Sequence, residues 1–115
     1  MSVHTINEAQ FEEQVLSAKK PVVVEFFKYR PDGRENASNR MSKVMDDWAS
    51  SETRADFVRI SLVDSPVVAE RYAVQSAPTL LIFSRGEQVE ELIGYYTVER
   101  PKELLDRVLK ATVQR

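Results

Sequence analysis

The 115-residue chain contains no cysteine. That absence excludes disulfide bonds, thiol nucleophiles and thiolate metal sites together. Histidine is nearly absent as well. The single imidazole, His4, has no neighbours with which to build a zinc site or a Ser-His-Asp arrangement. With three glycines, all far apart, there is no phosphate-cradling loop. Apolar runs such as Leu80-Leu81-Ile82-Phe83 are far too short to span a bilayer. The net charge is −2 with both signs interspersed, so no basic block exists to neutralise nucleic-acid phosphates. Residues 1–8 show neither the basic start nor the apolar stretch of a secretory signal. These absences lead us to expect a cytoplasmic protein with no cofactor, no bound metal, no nucleic-acid partner and no membrane association.

What remains is an ordinary globular composition, 43% hydrophobic and 30% charged. A chain of this length buries one core without covalent staples, so a single domain over residues 1–115 is expected. Val3-His4-Thr5-Ile6 reads as a short strand. Asn7 then caps a helix with Phe11, Val15 and Leu16 on its apolar face, closed by Lys19-Lys20-Pro21. Residues 22–27, Val-Val-Val-Glu-Phe-Phe, have the near-continuous apolar pattern of a central strand covered on both faces. From Glu35 onward the period becomes helical, with Ala37, Met41, Val44, Met45 and Trp48 on one stripe.

Residues 56–63 are strand-like again. Ser65 and Pro66 open a short helix whose Val67, Val68 and Tyr72 are expected to face inward. Thr79 to Phe83 is another buried strand, and a hairpin turn at residues 84–87 returns Gln88 to Ile93 against it. Val98, Leu104, Leu105, Val108 and Leu109 mark a last amphipathic helix with Arg107, Lys110 and Arg115 in its later turns. Strands alternating with helices, followed by a hairpin, predict an α/β domain with a mixed sheet covered on both sides.

The order and spacing of these segments resemble thioredoxin over nearly the whole chain. Residues 22–27 resemble the family's central strand with its embedded acid. Residues 72–83 resemble the stretch leading through the cis-proline into the next strand. Arg85-Gly86-Glu87 resembles the hairpin turn, and Gly94 the glycine that ends the last strand. The resemblance implies a thioredoxin fold: about five strands in a mixed central sheet, flanked by four helices. The departure is equally plain. Where the family carries its two redox cysteines this chain has Pro31-Asp32-Gly33-Arg34, preceded by Arg30 in place of an aromatic residue. Proline has no reactive atom and arginine stays protonated, so disulfide exchange by the family mechanism has no reagent here. The expectation that follows is a redox-inactive member that is not an enzyme.

Pro31-Asp32-Gly33-Arg34 is good turn chemistry in its own right and serves to join strand to helix. Alternatively, Arg30 and Arg34 present forked cations to a partner's carboxylate. Pro78 is structural in the fold it resembles, and the family uses its loop to expose the backbone of the residue at Ala77, where an extended peptide pairs. Glu25 is the least ordinary residue, a carboxylate within an apolar strand. The resemblance implies a lysine on the adjacent strand, at a position that reads here as Ile60. Glu25 is therefore expected to pair with a cation such as Arg34, to be protonated through desolvation, or to reach water at the strand's end. Tyr95 and Tyr96 follow Gly94 beside the same loop, as interface residues or as tyrosines with wetted hydroxyls. The binding surface expected on these grounds comprises Arg30, Pro31, Asp32, Gly33, Arg34, Ser76, Ala77, Pro78, Ile93, Gly94 and Tyr95. Its expected ligand is a partner protein or extended peptide, in a chaperone-like, assembly or scaffolding role. The alternatives are a non-thiol enzyme built on Glu25 and Arg34, and a structural oligomer formed through a helix face or the strand over residues 88–93.

Overall fold

A computed structural model describes the chain over residues 3–113, and its side chains as far as Ala111. Five strands form one sheet: β1 (His4–Ile6), β2 (Val22–Phe27), β3 (Asp56–Ser61), β4 (Thr79–Ser84) and β5 (Glu87–Ile93). Their spatial order is β1-β3-β2-β4-β5, so the apolar strand β2 lies at the centre. β1 and β2 run parallel to β3, whereas β4 is antiparallel to both β2 and β5. The helices are α1 (Glu8–Phe11, continued by a π-helical turn over Glu12–Leu16), α2 (Ala37–Ala49), α3 (Pro66–Arg71) and α4 (Glu99–Val113). This is the mixed α/β sheet with four helices that the sequence predicts.

The period of two along each strand sorts the core into two layers. Val22, Val24, Phe26, Val58, Ile60, Leu81 and Phe83 point to the side that holds Phe11 and Val15 of α1 and Val68 of α3. Phe11, Tyr72 and Phe83 meet there with ring centroids 5.0–5.7 Å apart. Val23, Phe57, Leu80 and Ile82 point to the other side, against Met41, Met45 and Trp48 of α2 and Leu104 and Leu105 of α4. By the same parity Glu25 and Arg59, paired in register across β2 and β3, face α2.

Several local expectations need correction. The first helix ends at Ser17, before Lys19 and Lys20, because its last turn closes by a Ser17 N–H to Glu12 C=O bond of 2.9 Å. β3 stops at Ser61, and residues 62–64 turn into the loop. Val67 is 63% exposed. Each helical step turns about 100°, which sets Val67 a quarter turn round from the buried Val68. Ser65 precedes α3 but its side chain makes no capping bond. The carboxylate of Glu8 in α1 caps α3 instead, accepting the Val68 N–H at 2.7 Å. In α2, Ser38 and Ser42 are buried alongside Met41 and Met45, whereas Val44 is only partly covered. Arg115 lies outside the described residues. No described helix is long and apolar enough to cross a membrane.

Candidate functional site

The parallel pairing of β2 with β3, and the antiparallel pairing of β2 with β4, gather several loops at one end of the sheet. Phe26 of β2 lies opposite Thr79 of β4, and Thr79 lies opposite Ile93 of β5. The segment after β2, the loop before β4 and the residues after β5 therefore emerge side by side.

The segment after β2 is held by its own polar groups. The backbone of Lys28 donates to Ser38 Oγ at 3.1 Å and accepts from Asn36 Nδ2 at 2.8 Å. Asn36 also caps α2 reciprocally with Asn39. Between these anchors residues 30–33 form a tight turn, with Gly33 N–H bonded to Arg30 C=O at 3.2 Å and Gly33 at φ +78°. Pro31 occupies the second position, where its fixed φ is favoured. Asp32 binds the Arg30 guanidinium through both carboxylate oxygens and takes the Arg34 N–H at 3.0 Å. These bonds, the Arg30 guanidinium first, hold the Asp32 carboxyl below the usual carboxylate range. Arg30 is thus committed within the turn. The Arg34 side chain is 80% exposed and meets Asp32 only as a long ion pair, Nε to Oδ2 at 3.9 Å.

In the neighbouring loop the Ala77–Pro78 peptide is cis. The carbonyls on either side are occupied: Ser76 C=O by the Thr79 hydroxyl at 2.7 Å, and Pro78 C=O by Gly94 N–H at 2.8 Å. Neither backbone group of Ala77 has a hydrogen-bond partner among the described residues. Gly94 adopts φ +98°, a conformation that suits glycine. Ile93 is 58% exposed, and Tyr29, Tyr95 and Tyr96 are about 40% exposed. The Arg40 guanidinium of α2 sits over the Tyr95 ring at 5.6 Å, joining the helix to the segment after β5.

Beneath this surface lies the acid. Glu25 is fully buried, so it does not reach water at the strand's end. Its partner is Arg59, not Arg34: Arg59 Nε donates to Glu25 Oε1 at 2.7 Å. Arg59 Nη2 also donates to the Ser42 carbonyl at 3.1 Å and to Asp46 at 3.0 Å. Ser42 Oγ donates to Glu25 Oε2 at 2.5 Å and lies 2.7 Å from the Tyr29 hydroxyl. Tyr29 in turn stacks on Phe27 at 4.6 Å. Burial pushes the Glu25 carboxyl above its ordinary value, and the Ser42 bond and the Arg59 charge only partly offset it.

The sequence reading placed the adjacent cation position at Ile60, which faces the opposite layer. Arg59 has the correct parity, and its charge between Val58 and Ile60 was the available signal. Ser42 and Arg40 also escaped the sequence reading, because a buried serine and a ring-stacked arginine look like surface residues in a list. Among the described residues no cluster of His, Asp or Glu is arranged to hold a metal.

A family model described as Thioredoxin matches residues 2–110. The chain belongs to the thioredoxin family. Thioredoxin of Porphyra purpurea is 31% identical over 109 residues, covering 95% of each chain. Thioredoxin of Pyropia yezoensis is 32% identical over 94 residues, 82% of this chain and 85% of that protein. Thioredoxin of Staphylococcus aureus is 34% identical over 61 residues, 53% and 59% of the two chains.

The five-stranded sheet and four helices are accordingly those of a thioredoxin fold. One expectation from the sequence is overturned here. The absence of cysteine suggested that the chain is not an enzyme, but its relatives are thioredoxins, and thioredoxins are oxidoreductases. Membership is in an enzyme family. The turn itself is cysteine-free, with Pro31 and Arg34 at the thiol positions.

Proposed function

We propose that this thioredoxin-fold chain binds an extended segment of a partner protein, in a chaperone-like, assembly or scaffolding role. The groove runs between the turn over residues 30–34, the loop over residues 76–78 and the segment over residues 93–95. The observation that carries the reading is the unpaired backbone of Ala77. An N–H and a C=O left open beside exposed apolar side chains suit β-type pairing with an incoming strand. Such pairing uses main-chain hydrogen bonds and needs no thiol. Tyrosine and arginine at Tyr29, Tyr95, Arg34 and Arg40 are the residue types on which interfaces concentrate their energy. The chemistry requires no oxidising compartment, and a cytoplasmic setting is part of the reading.

The test is affinity capture from the native cell with wild type, Ala77→Asp and Arg34→Ala, each checked for folding by circular dichroism. Loss of the same partners from both variants is the expected result. Undiminished recovery by both would remove the groove from consideration.

A further inference from the structure

We infer that the groove selects segments bearing a carboxylate, and that Arg34 reads it. This rests on the groove reading above and adds the chemistry of the occupant. The cations around the groove differ in what they are free to do. Arg30 is held by both oxygens of Asp32. Arg40 lies over Tyr95 and within 3.5 Å of Glu35. Arg59 is spent on Glu25 and Asp46 below the surface. The Arg34 side chain makes no hydrogen bond among the described residues and is 80% exposed.

Asp32 already accepts from Arg30 twice and from the Arg34 backbone, and it meets the Arg34 side chain only as a long ion pair, Nε to Oδ2 at 3.9 Å. Across the groove, residues 76–78 and 93–97 contain no acidic side chain. The surface thus offers one largely open fork, whose one ion-pair contact among the described residues is Asp32 at 3.9 Å, on a chain whose net charge is −2. A planar guanidinium pairs bidentately with a carboxylate, which matches an aspartate or glutamate in the bound strand. Exposed Ile93 and Tyr95 supply apolar contact for the neighbouring residues of that strand. The occupant is therefore an acidic extended segment of another protein.

The probe is a capped pentapeptide, Thr-Val-X-Val-Thr, with X as Glu, Gln or Lys, titrated into the isotope-labelled full chain and followed by amide NMR. All three are expected to shift Ala77 and Gly94, with the Glu peptide bound roughly fivefold more tightly than the Gln peptide. Arg34→Gln should erase that preference while Ala77 still shifts, and Arg34→Glu should transfer it to the Lys peptide. Lys28→Gln, which alters another exposed cation of the segment, should leave it intact.

Equal binding of all three peptides at Ala77 overturns the acidic selectivity and leaves the groove reading standing. So does a Glu preference that survives Arg34→Gln or disappears in Lys28→Gln. Absence of any shift at Ala77 and Gly94 overturns both readings. Concentration-dependent shifts of those amides without peptide would assign the groove to a second copy of this chain and overturn the inference.

Discussion

Arg59 Nε lies 2.7 Å from Glu25 Oε1, on the face of the sheet that α2 covers. Because burial raises the Glu25 carboxyl in the folded state, the native protein holds that proton to higher pH than the unfolded chain does. Stability therefore falls as pH rises from about 4.3, the unfolded value of a glutamate, through the folded value. A carboxyl-detected NMR titration should place Glu25 above about 4.3, the free glutamate value, and Arg59→Met should move it higher still. A value at or below about 4.3 would contradict the burial account. Removing one partner of a buried ion pair also leaves the other uncompensated, so Arg59→Met should cost about 3 kcal/mol at neutral pH in urea unfolding.

Glu52 behaves in the opposite sense. It is 6% exposed and accepts from Trp48 Nε1 at 3.2 Å and from Arg54 Nε and Nη2 at 2.8 and 2.9 Å. Arg54 also reaches Asp106 of α4 at 3.0 Å. The Arg54 bonds foremost hold the Glu52 carboxyl at about 2, below its ordinary 4.5. The folded value is the lower one, so this stabilisation is complete above about pH 4.3 and fades as pH falls toward 2. Glu52→Gln should lose about 1.5–3 kcal/mol at pH 7 and much less at pH 2.5. Urea melts followed by fluorescence of Trp48, the only tryptophan, would show whether the gap closes.

Glu8 and Val68 are joined across sixty positions by a single bond. Removing a helix cap costs about 1 kcal/mol. Glu8→Ala should lose that much and accelerate amide exchange at Val68, leaving exchange in α2 unchanged. Unaltered protection at Val68 would show that α3 is closed by something else.

Gly86 and Gly33 both have positive φ, +82° and +78°, but different surroundings. A Cβ at Gly86 would meet the Leu16 carbonyl oxygen at 3.1 Å, while one at Gly33 meets nothing within 4 Å. Gly33→Ala should cost about 1 kcal/mol for the backbone conformation alone. Gly86→Ala should cost more, because the hairpin must also move away from the end of the first helix. Thermal unfolding of the two variants in parallel would rank them, and equal losses would discount the Leu16 contact.

Much of this architecture is legible in the sequence, since periodicity and caps act locally. The apolar runs of β2 and β4, Asn7 at a helix start, and the Arg85-Gly86 turn each specify their own element. What escapes is information carried between elements. Arg59 and Ile60 are neighbours in the chain, but a one-residue step moves a side chain to the other face of the sheet. Only the register with β2 shows which of them meets Glu25. Ser42 reads as a polar helix residue until Glu25 and Tyr29 are seen on either side of it. The groove is half legible. Its turn and loop are named by the sequence, whereas the capture of Arg30 by Asp32, which leaves Arg34 open, depends on side-chain geometry.

The line from Tyr29 through Ser42 to Glu25 has a sense as well as a geometry. With Glu25 ionised, Ser42 gives its hydrogen inward, its oxygen receives the hydrogen of Tyr29, and the phenol shows solvent only lone pairs. A proton on Glu25 Oε2 would instead donate to Ser42 Oγ, which frees the Ser42 hydrogen to point at the Tyr29 oxygen and the Tyr29 hydrogen to turn outward. One hydroxyl could then change from acceptor to donor by rotation of its O–H bond alone. The chain of bonds thus gives a fully buried charge a route by which to set the direction of a single O–H bond beside the groove.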